Sequence, residues 1–528
     1  MLHSALGFRG SFSAPHRAAA LAGRDVLEAG GTAIEAMVAA AAVIAVVYPH
    51  MNGIGGDGFW LIRKKGERPI GISACGRAAA LASPDWYAAK GITGSLPSRG
   101  GAAALTVPGT LKGWEKALGM VADRMVMPLG DLVGPAIAHA RDGFPVSGNQ
   151  ARCMAEKGAA LVDVPGFAEV FLDAAKLPPA GFRLRQPALA NTLEAIARDG
   201  IDTFYHGDIA AENARFLEAH GSPLRLEDFT AMAADIVEPL SVAISRGRLY
   251  NMPPPTQGVS SLMILALFDR LNIDRGEGFD HLHALVEATK LALRKRNQAL
   301  GDPDFMTEPA ETWLEDAFLD GLANQIDSQR AMPWREPARA GDTIWMGAID
   351  SQGTLVSFIQ SIFWEFGSAL TCPITGVVFQ NRGSAFSLQP GPNQLAPGKR
   401  PFHTLNPALA ELADGRVIAY GTMGGEGQPQ IQAALFTRYA FFNEDLQQAI
   451  TLPRWLLGKT WGDGNASLKI EDRFEPGLAA LLRSAGHNVE VIDDFSDSMG
   501  HAGAVVLHPD GLMEAAADPR ADGVGLAY

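Results

Sequence analysis

The stretch Gly341-Asp342-Thr343-Ile344-Trp345-Met346-Gly347-Ala348-Ile349-Asp350 runs through Ser351-Gln352-Gly353 into an apolar segment from Leu355 to Phe366. Two apolar runs joined by a short polar turn predict a β-hairpin. Composition makes it an ordinary buried hairpin. A second reading is chemical. If the chain is cut between Asp342 and Thr343, Thr343 becomes a terminus and its hydroxyl gains an amine of its own. An α-amino group titrates at roughly 7.7–8.0, so near pH 7 it can be neutral and accept the hydroxyl proton.

Around this hairpin lie 528 residues, enough for a large core and more than one lobe. Hydrophobic residues make up 47% and charged residues 19%, the balance of a globular protein rather than a disordered one. The net charge of −14 and the lack of a Lys/Arg block argue against nucleic-acid or anionic-membrane partners. Cys75, Cys153 and Cys372 are sparse and odd in number, which points to buried free thiols in a reducing compartment. Their spacing does not suit zinc. Ala33 to Tyr48 is apolar, but it is short for a membrane span and contains Glu35, so a buried helix is expected. Met1 to Ala14 carry no basic-then-apolar export signal, and a cytoplasmic location is expected.

Upstream of the hairpin, Ser13 to Gly31 reads as an N-capped helix, and Thr32 caps a second helix through Val47. The Gly-rich loop Asn52 to Phe59 neither follows a strand nor opens a helix, as a dinucleotide fingerprint would require. Its glycines instead let backbone approach backbone. Trp60 to Arg63 and Pro69 to Ala74 read as a hairpin. Helical patterns follow at 111–118, 131–141, 162–200 with proline-rich interruptions, 209–220, 258–271, 279–296 and 311–329. Downstream, strand patterns appear at 376–381, 415–421, 468–471, 489–492 and, as the last, 502–508, with helices at 430–442 and 477–485.

Thr343, Asp350, Gly353, Phe366 and Gly367 resemble the start of the small subunit in the γ-glutamyltransferase family, which belongs to the N-terminal-nucleophile hydrolases. Further short matches occur in the same order as in that family. They include Val107-Pro108-Gly109-Thr110, Arg141-Asp142-Gly143-Phe144, Met252-Pro253-Pro254-Pro255 and Asp518-Pro519-Arg520-Ala521-Asp522-Gly523. The resemblance therefore spans nearly the whole chain. It implies an α+β fold of the αββα type, with stacked antiparallel sheets between helical layers. It implies a large subunit of residues 1–342 and a small subunit of residues 343–528 sharing one core, with dimers of such heterodimers as a further assembly. No metal or organic cofactor is implied.

Acyl transfer from an amide needs a nucleophile, a base and a place for negative charge on the carbonyl oxygen. The resemblance implies that Thr343 supplies the first two after cleavage between Asp342 and Thr343. Gly424-Gly425, at a strand-to-helix turn, would aim backbone N–H groups at the oxyanion. Ser361 stands where the family has a threonine close to the nucleophile.

The substrate-gripping residues depart from the family pattern. Phe363 replaces an Asn, Arg382 a Gln, Ala385 the Asp that holds an ammonium, and His403-Thr404 a Ser-Ser pair. Arg77 lies two places after Cys75, where the family's large-subunit arginine would fall. Losing a carboxylate and gaining a guanidinium favours a small acid without an ammonium group, bound by Arg382, His403, Thr404 and Arg77. The bulk of Trp345 and Phe363 points to a small acyl group. This combination resembles the oxamate amidohydrolase branch, which implies hydrolysis of oxamate to oxalate and ammonia. A γ-glutamyl hydrolase or transpeptidase acting on glutathione is the alternative. An uncut, catalytically silent binding relative is a third reading, because Ile344 stands where the family has a second Thr.

Overall fold

Asp342–Ile349 pairs antiparallel with Leu355–Phe363, as the hairpin reading expects. The structure is a computed structural model and describes residues 3–334, 341–458 and 467–528. Asp342 and Thr343 stand at the head of the first strand of the hairpin. Asp350 explains the turn. Its Oδ1 accepts the N–H groups of Gln352 (3.0 Å) and Thr354 (2.9 Å), a local side-chain bond that holds the reversal. Its Oδ2 accepts Ala33 N–H at 3.1 Å, tying the turn to the start of the helix Ala33–Val47. Thr32 and Glu35 form the capping box of that helix, and every one of its residues is buried.

The hairpin lies inside a seven-stranded antiparallel sheet. Its order is Val524–Ala527, Ser11–Ala14, Asp342–Ile349, Leu355–Phe363, Asp57–Arg63, Ile70–Ala74, Asp235–Val237. A second seven-stranded antiparallel sheet runs Ala5–Gly7, Met513–Ala517, Ala502–Leu507, Val417–Thr422, Ala408–Leu412, Gly247–Asn251, Leu240–Ile244. Both sheets draw strands from either side of position 342.

Strand alternation sorts the side chains into layers. Ile344, Met346, Ala348, Val356, Phe358 and Ile362 join a core with the helices Arg17–Glu28 and Ala33–Val47. Trp345, Ile349, Leu355 and Ile359 instead meet Leu409, Ala419 and Val505 between the two sheets. The outer face of the second sheet, with Ala410, Ile418 and Val506, packs on the helices Gly258–Arg270 and Phe279–Ala299. The result is helix, sheet, sheet, helix, as expected.

Several boundaries differ from the sequence reading. Ser13 belongs to a strand, and the first helix begins at Arg17 with His16 as its cap. Within 162–200, Arg183–Leu184 pairs with Phe144–Pro145 in a two-stranded ribbon, and the long helix is confined to Pro187–Asp199. The helix expected at 311–329 stops at Ala323. Asp327 accepts the N–H groups of Gln329 and Arg330, a local turn that competes with helix. Residues 376–381 contribute only an isolated bridge between Val378 and Thr371. Ala502–Leu507 is not the last strand, since Met513–Ala517 and Val524–Ala527 follow it. The strands Asp235–Val237, Leu240–Ile244 and Gly247–Asn251 lie between the helices expected at 209–220 and 258–271, where no strand was expected. The three cysteines are free and buried. Among the described residues no helix is long and apolar enough to cross a membrane.

Candidate active site

Thr343 is buried, and among the described residues its hydroxyl has no hydrogen-bond partner. A buried hydroxyl without a partner is costly, which makes it a position to explain. A register shift lies between Asp342 and Ile344, so the strand is irregular where Thr343 sits.

A closed circuit of contacts passes through Gly341, two residues before Thr343. Gly425 packs on the backbone of Gly341: a Cβ on Gly425 would lie 2.7 Å from Gly341 O, and its φ is +52°. Only glycine tolerates both. The Gly424-Gly425 turn follows the strand Val417–Thr422 and precedes the helix Gln428–Phe436, so the strand-to-helix placement holds. A Cβ on Gly341 would in turn lie 2.9 Å from the ring of Phe363. The Arg382 guanidinium stacks on that ring, 3.8 Å from its centroid. Arg382 Nη1 donates to Thr404 Oγ1 at 3.3 Å. Gln257 Nε2 closes the circuit by donating to Thr404 O and to Gly425 O, both at 2.8 Å.

Arg382 is 1% exposed, and its Nη2 has no partner among the described residues. Burial pulls its pKa down to about 9, partly opposed by the nearby Asp57 charge, so the guanidinium stays cationic at neutral pH. His403 Nε2 lies 2.9 Å from Asp57 Oδ2, its ring stands edge-on to Phe59, and its Nδ1 is a second buried nitrogen without a described partner. Burial, aided by Arg382, drives His403 well below its ordinary pKa, while burial pushes Asp57 up to about 7. The contact is therefore a hydrogen bond to a neutral imidazole rather than an ion pair.

Sequence reasoning missed Asp57. Its Oδ1 collects Gly76 N–H (3.0 Å), Gly109 N–H (3.1 Å) and Gln380 Nε2 (3.1 Å), so it joins three separate parts of the chain. It sits in the Gly-rich loop read as a close-packing device. That reading holds, because a Cβ on Gly55 or Gly56 would lie 2.0 Å from a backbone oxygen. Gln257 and Arg296 were also missed. Arg296 Nη1 donates to Gln257 Oε1 at 2.7 Å, and Nη2 pairs with Glu426 at 3.2 Å, bracing the glycine turn from behind. A cleft of about 300 Å³, lined by Arg296, Phe402, Asn393 and Glu426, opens beside this brace.

The other expected residues divide. Ser361 is buried and opposite Asp57 in the sheet, and its hydroxyl accepts Phe363 N–H at 2.7 Å. Arg77 is not drawn into the circuit. It is 47% exposed, donates to Gly398 O at 3.0 Å and faces Asp304. Trp345 does not narrow the pocket. Its indole wedges between the sheets against Gly421 and Gly503 and donates to Ser357 Oγ at 2.9 Å. Phe363 does line the site, as the platform for Arg382.

Asp57, Cys75 and His403 bring three ligand atoms within 4.8 Å of one another. Asp57 Oδ1 is already saturated, burial pushes the Cys75 thiol up, and Arg382 adds a cation, so the set is ill-suited to a metal ion.

Two stacked antiparallel sheets between helical layers, with a threonine heading an inner strand beside a glycine turn, define the N-terminal-nucleophile hydrolase class. A protein-family model described as gamma-glutamyltranspeptidase matches residues 19–528. The chain is 49% identical over 531 residues to the oxamate amidohydrolase proenzyme of Klebsiella pneumoniae, and the match covers all of both chains. It is 38% identical, again over full length, to the glutathione hydrolase-like YwrD proenzyme of Bacillus subtilis. Among solved structures, the cephalosporin acylase from Bacillus halodurans superposes with a TM-score of 0.92 at 30% identity, covering 100% of this chain and 97% of that one. The chain belongs to the gamma-glutamyltranspeptidase family.

Proposed function

We propose that this chain cuts itself between Asp342 and Thr343 and that the freed Thr343 hydrolyses a small carboxylate-bearing amide, with oxamate as the substrate. Thr343 Oγ1 attacks the Asp342 carbonyl carbon and the peptide C–N bond breaks, leaving an ester and a free amine. Water then cleaves the ester. The two fragments stay together because both sheets contain strands from each.

In turnover the Thr343 amine takes the hydroxyl proton and Oγ1 attacks the oxamate amide carbon. The oxyanion faces the Gly424 and Gly425 N–H groups, each such donor contributing roughly 3–4 kcal/mol. The proton passes to the departing nitrogen, which leaves as ammonia. Water attacks the oxalyl ester, releasing oxalate and restoring the hydroxyl. Arg382 Nη2, with Thr404 steering the guanidinium and His403 beside it, takes the substrate carboxylate.

The observation that carries the reading is the Nη2 of a buried arginine, without a partner among the described residues, on a ring that packs against Gly341, two residues before Thr343. The 49% identity to a protein named for oxamate supports it. The buried free thiols are consistent with a cytoplasmic setting. The test is release of ammonia from oxamate against release of glutamate from glutathione by the same preparation. Oxamate turnover is expected, and a clear preference for glutathione would overturn the substrate assignment.

A further inference from the structure

The helix Phe279–Ala299 carries four polar residues, His283, Glu287, Lys290 and Arg294, on one face. None belongs to the circuit through Gly341. All four are spent on the segment that leads into the cleavage junction. His283 Nε2 reaches Asp327 O at 2.8 Å. Glu287 Oε2 accepts Met332 N–H at 2.8 Å, and Lys290 Nζ donates to Met332 O at 2.7 Å. Arg294 donates to Pro333 O.

Glu287 and Lys290 also bind each other at 2.6 Å, with side chains 0% and 2% exposed. The residues beyond the junction contribute as well. His487 Nε2 meets His283 Nδ1 at 2.8 Å, and Ala485 O accepts Ala331 N–H at 2.8 Å. His283, Glu287 and His487 do bring ligand atoms together, but the Lys290 ammonium on Glu287 makes this a poor cation site.

Burying an ion pair costs desolvation, recovered only where geometry and further hydrogen bonds are good. Here the recovery comes from gripping both main-chain polar atoms of one residue in a connecting segment. At the other end of the approach, Gly341 is wedged between Gly425 and Phe363. The chain entering the scissile bond is thus held upstream at Met332 and again at Gly341.

We infer that Glu287 and Lys290 are positioning residues for self-cleavage, clamping Met332 so that the Asp342 carbonyl is presented to the Thr343 hydroxyl. This rests on the self-cleavage reading above. Misplacement of a reacting group by about 1 Å costs roughly 100-fold. A slackened clamp should therefore slow cutting without touching turnover by molecules already cut.

The experiment follows freshly synthesised full-length chain on denaturing gels and measures oxamate turnover per cut molecule. Glu287→Leu/Lys290→Met replaces the pair by apolar residues of similar size, a change buried pairs commonly tolerate. It should cut about 10- to 100-fold more slowly than wild type, with kcat per cut molecule unchanged even where the freed main-chain groups of Met332 lower the melting temperature. Glu287→Gln/Lys290→Gln keeps an acceptor and a donor and should restore most of the rate. Met332→Pro deletes the gripped N–H from the segment side and should also slow cutting, whether or not the Leu/Met variant folds. Equal cutting rates in wild type, the Leu/Met variant and Met332→Pro would overturn the clamp alone. So would parallel losses in cutting, kcat and melting temperature. A wild-type chain that stays whole would overturn both the clamp and self-cleavage.

Discussion

At Arg382 a guanidinium is buried against Phe363, its Nη1 held by Thr404 and its Nη2 without a described partner. A charge-assisted bond to a substrate carboxylate is worth roughly 1.5–3 kcal/mol. Arg382→Met should therefore raise KM for oxamate about 10- to 100-fold and change kcat less. Steady-state kinetics on the matured protein decide this, and an unchanged KM would remove Arg382 from the substrate. Gly425 makes the complementary case. An added methyl would press on Gly341 O, and the residue's φ of +52° already disfavours a side chain. Gly425→Ala should cut its own chain at least about 100-fold more slowly, visible as a persistent full-length band. Both residues stood out in the sequence, one as a charge where the family has an amide, the other as a glycine pair after a strand. Asp57, Gln257 and Arg296 did not. Their partners lie far away in sequence, and no local pattern brings His403 to Asp57 or Thr404 to Gln257.

Among the elements, the hairpin was readable because its two apolar runs and the Asp350 turn are local. Met513–Ala517 was not. Its alanines carry no strand preference, and pairing with Ala502–Leu507 decides its state. The short strands Leu240–Ile244 and Gly247–Asn251 are cut apart by Ser245-Arg246, too brief for a clear period. Trp345 shows why side-chain size alone misleads. The bulk expected in the pocket serves sheet packing, in space left by Gly421 and Gly503. A Cβ on Gly421 would sit 2.1 Å from the indole. Gly421→Ala should cost about 1–3 kcal/mol by overpacking, measured by chemical denaturation. Trp345→Phe should recover part of that loss when combined with it, since the two share one space.

For the whole molecule, pH acts mainly through buried imidazoles. His50, His281 and His487 are pulled down to about 3 and His16 to about 4, chiefly by burial. Their unfolded counterparts titrate near 6.5, so below that value the unfolded chain binds more protons than the folded one. Stability should fall as pH drops from about 6.5 towards 3–4. Asp57 acts oppositely: raised to about 7, it favours the folded state as pH falls from 7 towards 3.8. One such group offsets only part of four. Thermal melting across this range should show net acid loss, shallower in His50→Gln, and a flat profile would contradict the assignment. The sheets were foreseeable as a class because matches to the family recur in order along the chain, and the two-sided core follows from their alternation.

The most direct test of the account is the intact mass of the purified chain and its fragments, followed over time alongside ammonia release from oxamate. The account predicts a fragment spanning 343–528 with Thr343 at its N-terminus, activity rising in step with it, and neither in Thr343→Ala. A whole chain that is fully active, or an active fragment beginning elsewhere, would contradict it.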